Sequence, residues 1–204
     1  MKSVFIAVVL AIVMVGATQN SRADVLTFVA SLSGPAESPP NASPGTGFTT
    51  VTLDTIANTM RVQVSFSGLV AGTAASHIHS ATTVPFTGTA GVATTTPTFA
   101  GFPLGVTSGT YDNTLDMTML SSYNPAFVTA NGGTAASAQA ALFSGIMQGR
   151  AYLNIHSTTF GGGEIRGFLV AAPEPATMLL LGTGLTGIAL KIRRKRKSNR
   201  NEAA

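Results

Sequence analysis

Cysteine is absent from this 204-residue chain, and charged residues make up only 10% of it. The missing cysteines exclude the disulfide framework that holds many small secreted domains together. A body of about 150 residues can bury a sufficient core without such bridges, and its length favours one domain over two.

Positive charge is also scarce once the two ends of the chain are set aside. The whole sequence has a net charge of +4, but most of its lysines and arginines lie near the termini. Over residues 24–175, three arginines are opposed by seven acidic residues, which gives a net charge of −4. The basic ends therefore give no reason to expect nucleic-acid binding.

The N-terminus has the layout of a secretory signal peptide. Lys2 precedes an apolar run, 4–15, that ends in small residues. We predict that residues 1–23 form a cleaved signal peptide, with an uncleaved N-terminal helix as the alternative. Cleavage implies an exported protein.

The C-terminus has an apolar run of 15 uncharged residues, 176–190, followed by a basic cluster. As a helix it would be about 22 Å long, which is shorter than the roughly 30 Å hydrocarbon core of a bilayer. A transient transmembrane anchor and an ordinary single-span tail both fit this length. Because the basic groups at both ends favour the cytoplasmic side, the body between them is predicted to lie outside the inner membrane.

Alternating apolar and polar residues in the body predict β-strands. At 60–66 every second side chain is apolar, which is typical of a strand with one buried face. The same pattern recurs at 26–32, and the polar residues 54–59 are suited to a hairpin connection. Further strands are predicted at 109–111, 152–156 and 165–170.

One helix is predicted among these strands. Thr134 is a suitable N-cap for residues 135–147, which are rich in alanine and carry an apolar stripe. Asp112 and Asn113 are predicted to form a polar turn. Many short strands with turn signals and a single inserted helix predict an all-β, antiparallel sandwich.

All three histidines of the chain lie in two similar segments, 76–80 and 153–157. His77 and His79 would project from the same face of a strand, and His156 would join them if the two segments pair. Three imidazoles in one place are a credible site for copper or zinc.

Other interpretations of the histidine segments remain open. A hydrogen-bonded polar ladder at a sheet edge, with Asn154 and Ser80 as partners, is the simpler one, and general acid–base catalysis is another. Asp112 and Glu164 are candidate carboxylates to support a metal ion. Glu164 is also predicted to form an exposed pair with Arg166. Because no nucleophile with an adjacent base and no phosphate-binding loop is found, no catalytic residue and no enzymatic activity are predicted.

The histidine segments resemble the CHRD domain first described in chordin. The similarity lies in residues 75–79, 149–157 and 162–169, in the family's order and spacing. It implies an immunoglobulin-like β-sandwich over 24–172, with a distant likeness to copper–zinc superoxide dismutases. The chain lacks the cysteines of the dismutase disulfide and has too few histidines for the full two-metal set, so a dismutase is not expected. The resemblance implies no other activity.

The end of the chain resembles a PEP-CTERM sorting signal, because Pro173, Glu174 and Pro175 precede the apolar span and the basic cluster. For 173–204 this implies a Gram-negative bacterium, a transmembrane sorting helix held transiently in the inner membrane, and cleavage by an exosortase near the Pro-Glu-Pro. The product is expected at the cell surface or in an extracellular matrix, with polysaccharide as a candidate partner. We therefore expect a non-enzymatic protein with a structural or interaction role, and a copper- or zinc-binding metalloprotein is the alternative.

Overall fold

The computed structural model describes residues 25–172, so the predicted signal peptide, the Pro-Glu-Pro motif and the apolar tail lie outside the described part. Neither of the two α-helices in 25–172 is long and apolar enough to cross a membrane. The strands are β1 (Val25–Ser33), β2 (Thr46–Asp54), β3 (Thr59–Ser67), β4 (Thr73–Ser80), β5 (Gly109–Asp116), β6 (Ala151–Ser157), β7 (Ile165–Phe168) and β8 (Val170–Ala171).

These strands form one antiparallel sheet in the order β4-β6-β7-β1-β2-β3-β5, with β8 paired to β1. On β3, the predicted alternation buries Met60, Val62, Val64 and Phe66. Ile78 of β4 joins the same hydrophobic core, although β4 lies at the opposite end of the sheet from β5. Because both ends of the sheet share one core, the sheet curls around it. The structure thus confirms that the fold is mostly β and antiparallel.

Two α-helices and two short 3-10 turns accompany the sheet. The structure confirms the predicted helix. The Thr134 hydroxyl accepts a hydrogen bond from the Ser137 backbone N–H, and the Ser137 hydroxyl accepts one from the Thr134 backbone N–H. A second helix was not predicted, although Asn124 caps it and Pro125 occupies its first turn. The bounds are α1 (Pro125–Ala130), α2 (Ala135–Met147), and 3-10 turns at Gly34–Ala36 and Leu120–Ser122.

The turn predicted at Asp112 and Asn113 is wrong, because both residues lie inside β5. Every residue of β5 pairs with β3, and Asp112 lies directly opposite Gln63. The Asp112 carboxylate accepts hydrogen bonds from Arg61 at 2.8 and 2.6 Å. Two consecutive polar residues can therefore continue a strand that is fully paired with its neighbour instead of ending it.

Candidate metal centre

Antiparallel pairing of β4 with β6 brings the three histidines together. His77 and His79 flank the buried Ile78, and His156 follows the buried Ile155. Because successive side chains of a strand point to opposite faces, the imidazoles lie on the face of the sheet away from the core. One ring nitrogen of each histidine lies within 4.8 Å of the other two. The structure thus assembles the three residues that the sequence singled out.

Each imidazole is oriented by a hydrogen bond between its Nδ1 atom and a backbone carbonyl oxygen. A carbonyl oxygen can only accept, so each Nδ1 carries the proton, and Nε2 of the neutral ring is left as an acceptor. The Nδ1–oxygen distances are 3.0 Å from His77 to Pro97, 2.8 Å from His79 to Ala90 and 2.9 Å from His156 to Gly161.

The Nε2 atoms that remain are gathered without a donor to satisfy them. Those of His77 and His156 lie 2.9 Å apart. Nε2 of His79 is buried and has no hydrogen-bond partner within the described part of the chain. Two lone pairs at that distance repel each other unless a proton or a metal ion is shared between them, and an unsatisfied buried acceptor costs about 1–3 kcal/mol. The cluster therefore favours binding of a cation.

Burial keeps the three rings in the neutral form. Loss of hydration is the largest effect, and together with repulsion from the other two rings it lowers the pKa of His77 to about 4. Burial also lowers the pKa of His79 to about 4, although the hydrogen bond to Ala90 opposes the shift. The pKa of His156 is lowered for the same main reason. At neutral pH the rings resist a proton, whereas a metal ion needs neutral imidazole.

Neither candidate carboxylate takes part in the histidine cluster. Asp112 is exposed on β5 and is engaged by Arg61. Glu164 is buried and accepts hydrogen bonds from the Ser43 hydroxyl at 2.6 Å and from the Val70 backbone N–H at 2.7 Å. Both carboxylates are therefore used elsewhere in the fold.

The exposed pair predicted between Glu164 and Arg166 is wrong, because both side chains are buried. Arg166 forms an ion pair with Glu37 instead, at 3.7 Å. Alternation along β7 could not reveal this arrangement, since the partners come from loops that are distant in sequence. Burial raises the pKa of Glu37 to about 7, and the Arg166 charge opposes that shift.

The partners proposed for a polar ladder do not form one. Asn154 Oδ1 and Ser80 Oγ are both buried without a hydrogen-bond partner among residues 25–172. The contact that does form joins the ring nitrogens of His77 and His156. The geometry therefore favours the metal interpretation over the ladder.

Aromatic and cationic side chains support the cluster on one side. The Tyr152 ring stacks on the His79 ring with a centroid distance of 4.7 Å and an interplanar angle of 7°. The Arg166 guanidinium carbon lies 4.7 Å from the centroid of the same tyrosine ring. Sequence reasoning connected neither residue with the histidines, since Tyr152 precedes the segment 153–157 and Arg166 was predicted to pair with Glu164.

The fold and the site together define an all-β domain with a three-histidine cluster on one face of its sheet. Residues 28–169 match the CHRD domain, and residues 171–195 match the PEP-CTERM protein-sorting motif. The chain belongs to the CHRD-domain family, which confirms the resemblance of its histidine segments. The sorting motif implies an exported protein that is processed by exosortase-type machinery. No curated protein and no solved structure matches the chain.

Proposed function

We propose that this exported CHRD domain is a metalloprotein that binds one copper or zinc ion through Nε2 of His77, His79 and His156. The observation that carries the proposal is that one ring nitrogen of each histidine lies within 4.8 Å of the other two while each ring is held by a backbone carbonyl. Metal-binding histidines commonly donate their other ring nitrogen to such a group, which fixes the tautomer and the ring orientation.

The ligand set narrows the choice of metal. Neutral imidazole suits copper and zinc, whereas calcium and magnesium prefer oxygen ligands. Three protein ligands leave a fourth position for water or another small ligand, as in catalytic zinc sites.

Metal analysis of the exported protein, purified without a histidine tag, tests the proposal. We expect about one equivalent of copper or zinc in the wild type and its loss in the His77→Ala, His79→Ala double variant and in His156→Ala. Asp112→Ala is the matched control, because it removes the candidate carboxylate that lies on β5, and it should keep the metal. Wild-type protein that stays free of both metals after exposure to each would refute the site.

For the whole protein we propose export through the signal peptide, transient anchoring in the inner membrane and release near residue 175. The sorting motif at 171–195 supports this route. The mature domain, which we expect to be an immunoglobulin-like sandwich over 24–172, would then reside at the surface of a Gram-negative cell or in its extracellular matrix. A structural or interaction role there is compatible with a bound metal ion.

The outer face of β1, β2, β3 and β5 supports polysaccharide as a partner. Gln63 and Asp112 are hydrogen-bonded on this face at 3.2 Å, close to the exposed ring of Phe48. Amide, carboxylate and hydroxyl groups beside an aromatic ring can hydrogen-bond and stack on sugars. A row of exposed residues crosses these strands at Ser31, Phe48, Ser65 and Thr110.

The test of this face is retention of the protein on polysaccharide from the producing cells. Equal retention of wild type and Phe48→Ala would count against it.

A further inference from the structure

Arg166 is a buried cation beside the candidate metal centre, with only 4% of its surface exposed. Burying a charge is costly unless the group is paired and hydrogen-bonded. Arg166 donates from Nε to the Ala36 carbonyl at 2.6 Å and from NH1 to the Gly88 carbonyl at 3.1 Å, and Glu37 supplies a counter-charge. One side chain on β7 therefore connects two loops that are far apart in sequence.

The loop that Arg166 reaches at Gly88 is the one that orients His79. Two residues further on, the carbonyl of Ala90 accepts the hydrogen bond from His79 Nδ1. The backbone N–H of Ala90 donates to the Tyr152 hydroxyl at 3.3 Å. Residues 88–90 are thus held by Arg166 at one end and by Tyr152 at the other.

Tyr152 also connects Arg166 to the imidazole directly. Tyr152 lies on β6, which runs between β4 and β7, and it is directly opposite His79 in the pairing of β6 with β4. Its ring therefore lies between the stacked imidazole and the guanidinium, each 4.7 Å away. The guanidinium is attracted to the face of the aromatic ring, which restrains the tilt of the tyrosine and so of His79.

We infer that Arg166 is a positioning residue, which acts through Tyr152 and residues 88–90 to keep Nε2 of His79 directed toward His77 and His156. The orientation of His79 is a property of the metal-free protein. Only its consequence for affinity rests on the proposed metal site. Loss of a group that orients a metal ligand typically lowers metal affinity 10–100-fold.

The first measurement is the tautomer of each histidine ring in the metal-free, exported protein, read from nitrogen-15 NMR. In the wild type we expect the proton on Nδ1 of all three rings. Arg166→Gln should give a mixture of tautomers at His79 while His156, held by Gly161, stays unchanged. Arg166→Lys keeps the charge but replaces the planar, multi-nitrogen guanidinium with a single ammonium group, so it should restore the tautomer only in part.

The second measurement is titration of the same proteins with Zn²⁺. We expect affinity about 10–100-fold lower in Arg166→Gln, and unchanged affinity in Arg61→Gln, whose arginine is exposed and paired with Asp112. Tyr152→Leu provides a second test should Arg166→Gln fail to fold. It removes the stacked ring, whereas Tyr152→Phe keeps the ring and serves as its control.

The outcomes separate this inference from the metal proposal. An unchanged His79 tautomer in both Arg166→Gln and Tyr152→Leu would overturn the positioning role, even if zinc affinity fell. A selective change at His79 in a wild-type protein that binds no Zn²⁺ would support the positioning role while removing zinc as the ligand. A selective tautomer change together with weaker zinc binding would support both.

Discussion

Burial shifts the pKa values of two kinds of residue in opposite directions around the candidate metal centre. It disfavours the charged form of any side chain, so it raises the pKa of the Glu37 carboxyl to about 7. The same effect lowers the pKa of His77 and of His79 to about 4. In mildly acidic solution the folded, metal-free protein therefore holds a proton at Glu37 and excludes protons from His77 and His79.

We expect Glu37→Gln to change how the free energy of unfolding depends on pH. Glu37 ordinarily titrates near 4.5, and in the folded protein near 7. Between pH 4.5 and about 7 the folded protein therefore binds a proton at Glu37 that the unfolded chain has lost. The stability due to this proton is fully present below pH 4.5 and is lost as the pH rises to about 7. Glutamine does not titrate, so raising the pH from 5 to 8 should stabilise the variant relative to wild type by about 1–3 kcal/mol.

Urea unfolding of the chelator-treated proteins at both pH values measures this difference. The histidines act in the opposite sense, since their lowered pKa values make stability rise as the pH rises from about 4 to their ordinary 6.5. That contribution is common to wild type and variant, so it cancels in the comparison. If the free energies of unfolding of wild type and Glu37→Gln differ by the same amount at pH 5 and at pH 8, Glu37 does not carry a raised pKa.

The residues of the candidate site were only partly predictable. The spacing of His77 and His79 and the similarity of the segment around His156 were enough to group the three histidines. Nothing in the sequence showed where the carbonyl groups of Pro97 and Ala90 point, because every residue has a carbonyl and its direction depends on the path of the loop. The burial of Arg166 was missed for a related reason, since the covering loops are distant in sequence.

At the scale of elements, periodicity predicted those strands that have one face in the core. The alternation at 60–66 corresponds to β3, and the Thr134 cap predicted the start of α2. Predictions failed where the local signal was short or polar, as for α1 and for the middle of β5. In β5 the pairing with β3 outweighed the turn preference of Asp112 and Asn113.

A close approach of β7 to β1 gives a prediction at this scale. A Cβ atom on Gly167 would overlap the backbone carbonyl oxygen of Ser31, and neither strand can move away without breaking pairing. We expect Gly167→Ala to lower the free energy of unfolding by about 1–3 kcal/mol or more. Urea unfolding midpoints measure the loss.

Gly162→Ala is the matched control for that substitution. A Cβ atom there would meet nothing within 4 Å, and Gly162 does not have a positive φ. Gly162→Ala should change the free energy of unfolding by no more than about 1 kcal/mol, in either direction. Equal losses in the two variants would mean that contact with β1 does not determine the need for glycine at 167.

At the scale of the whole molecule, the sorting motif predicts a change of charge during maturation. Removal of both ends would convert a chain of net charge +4 into a body, 24–175, of net charge −4. We expect the exported species to have the mass of a chain that ends near residue 175 and an acidic isoelectric point. Mass spectrometry and isoelectric focusing measure the two properties.

The control for this processing is a Pro173→Ala, Glu174→Ala variant, which should keep its C-terminal tail and remain with the membrane fraction. The histidine cluster lies within the body, so processing should leave its metal content unchanged. Exported wild-type protein that retains Ala204 would contradict the sorting interpretation.

Nδ1 of each imidazole in the cluster is hydrogen-bonded to a backbone carbonyl oxygen rather than to a side chain. Since any amino acid supplies such an oxygen, substitutions at positions 90, 97 and 161 can accumulate during evolution while the rings stay in place, provided that the loops keep their course. Selection on such a site acts on loop shape and on the histidines themselves. Related domains should therefore keep the three histidines while the sequences of their orienting loops drift apart.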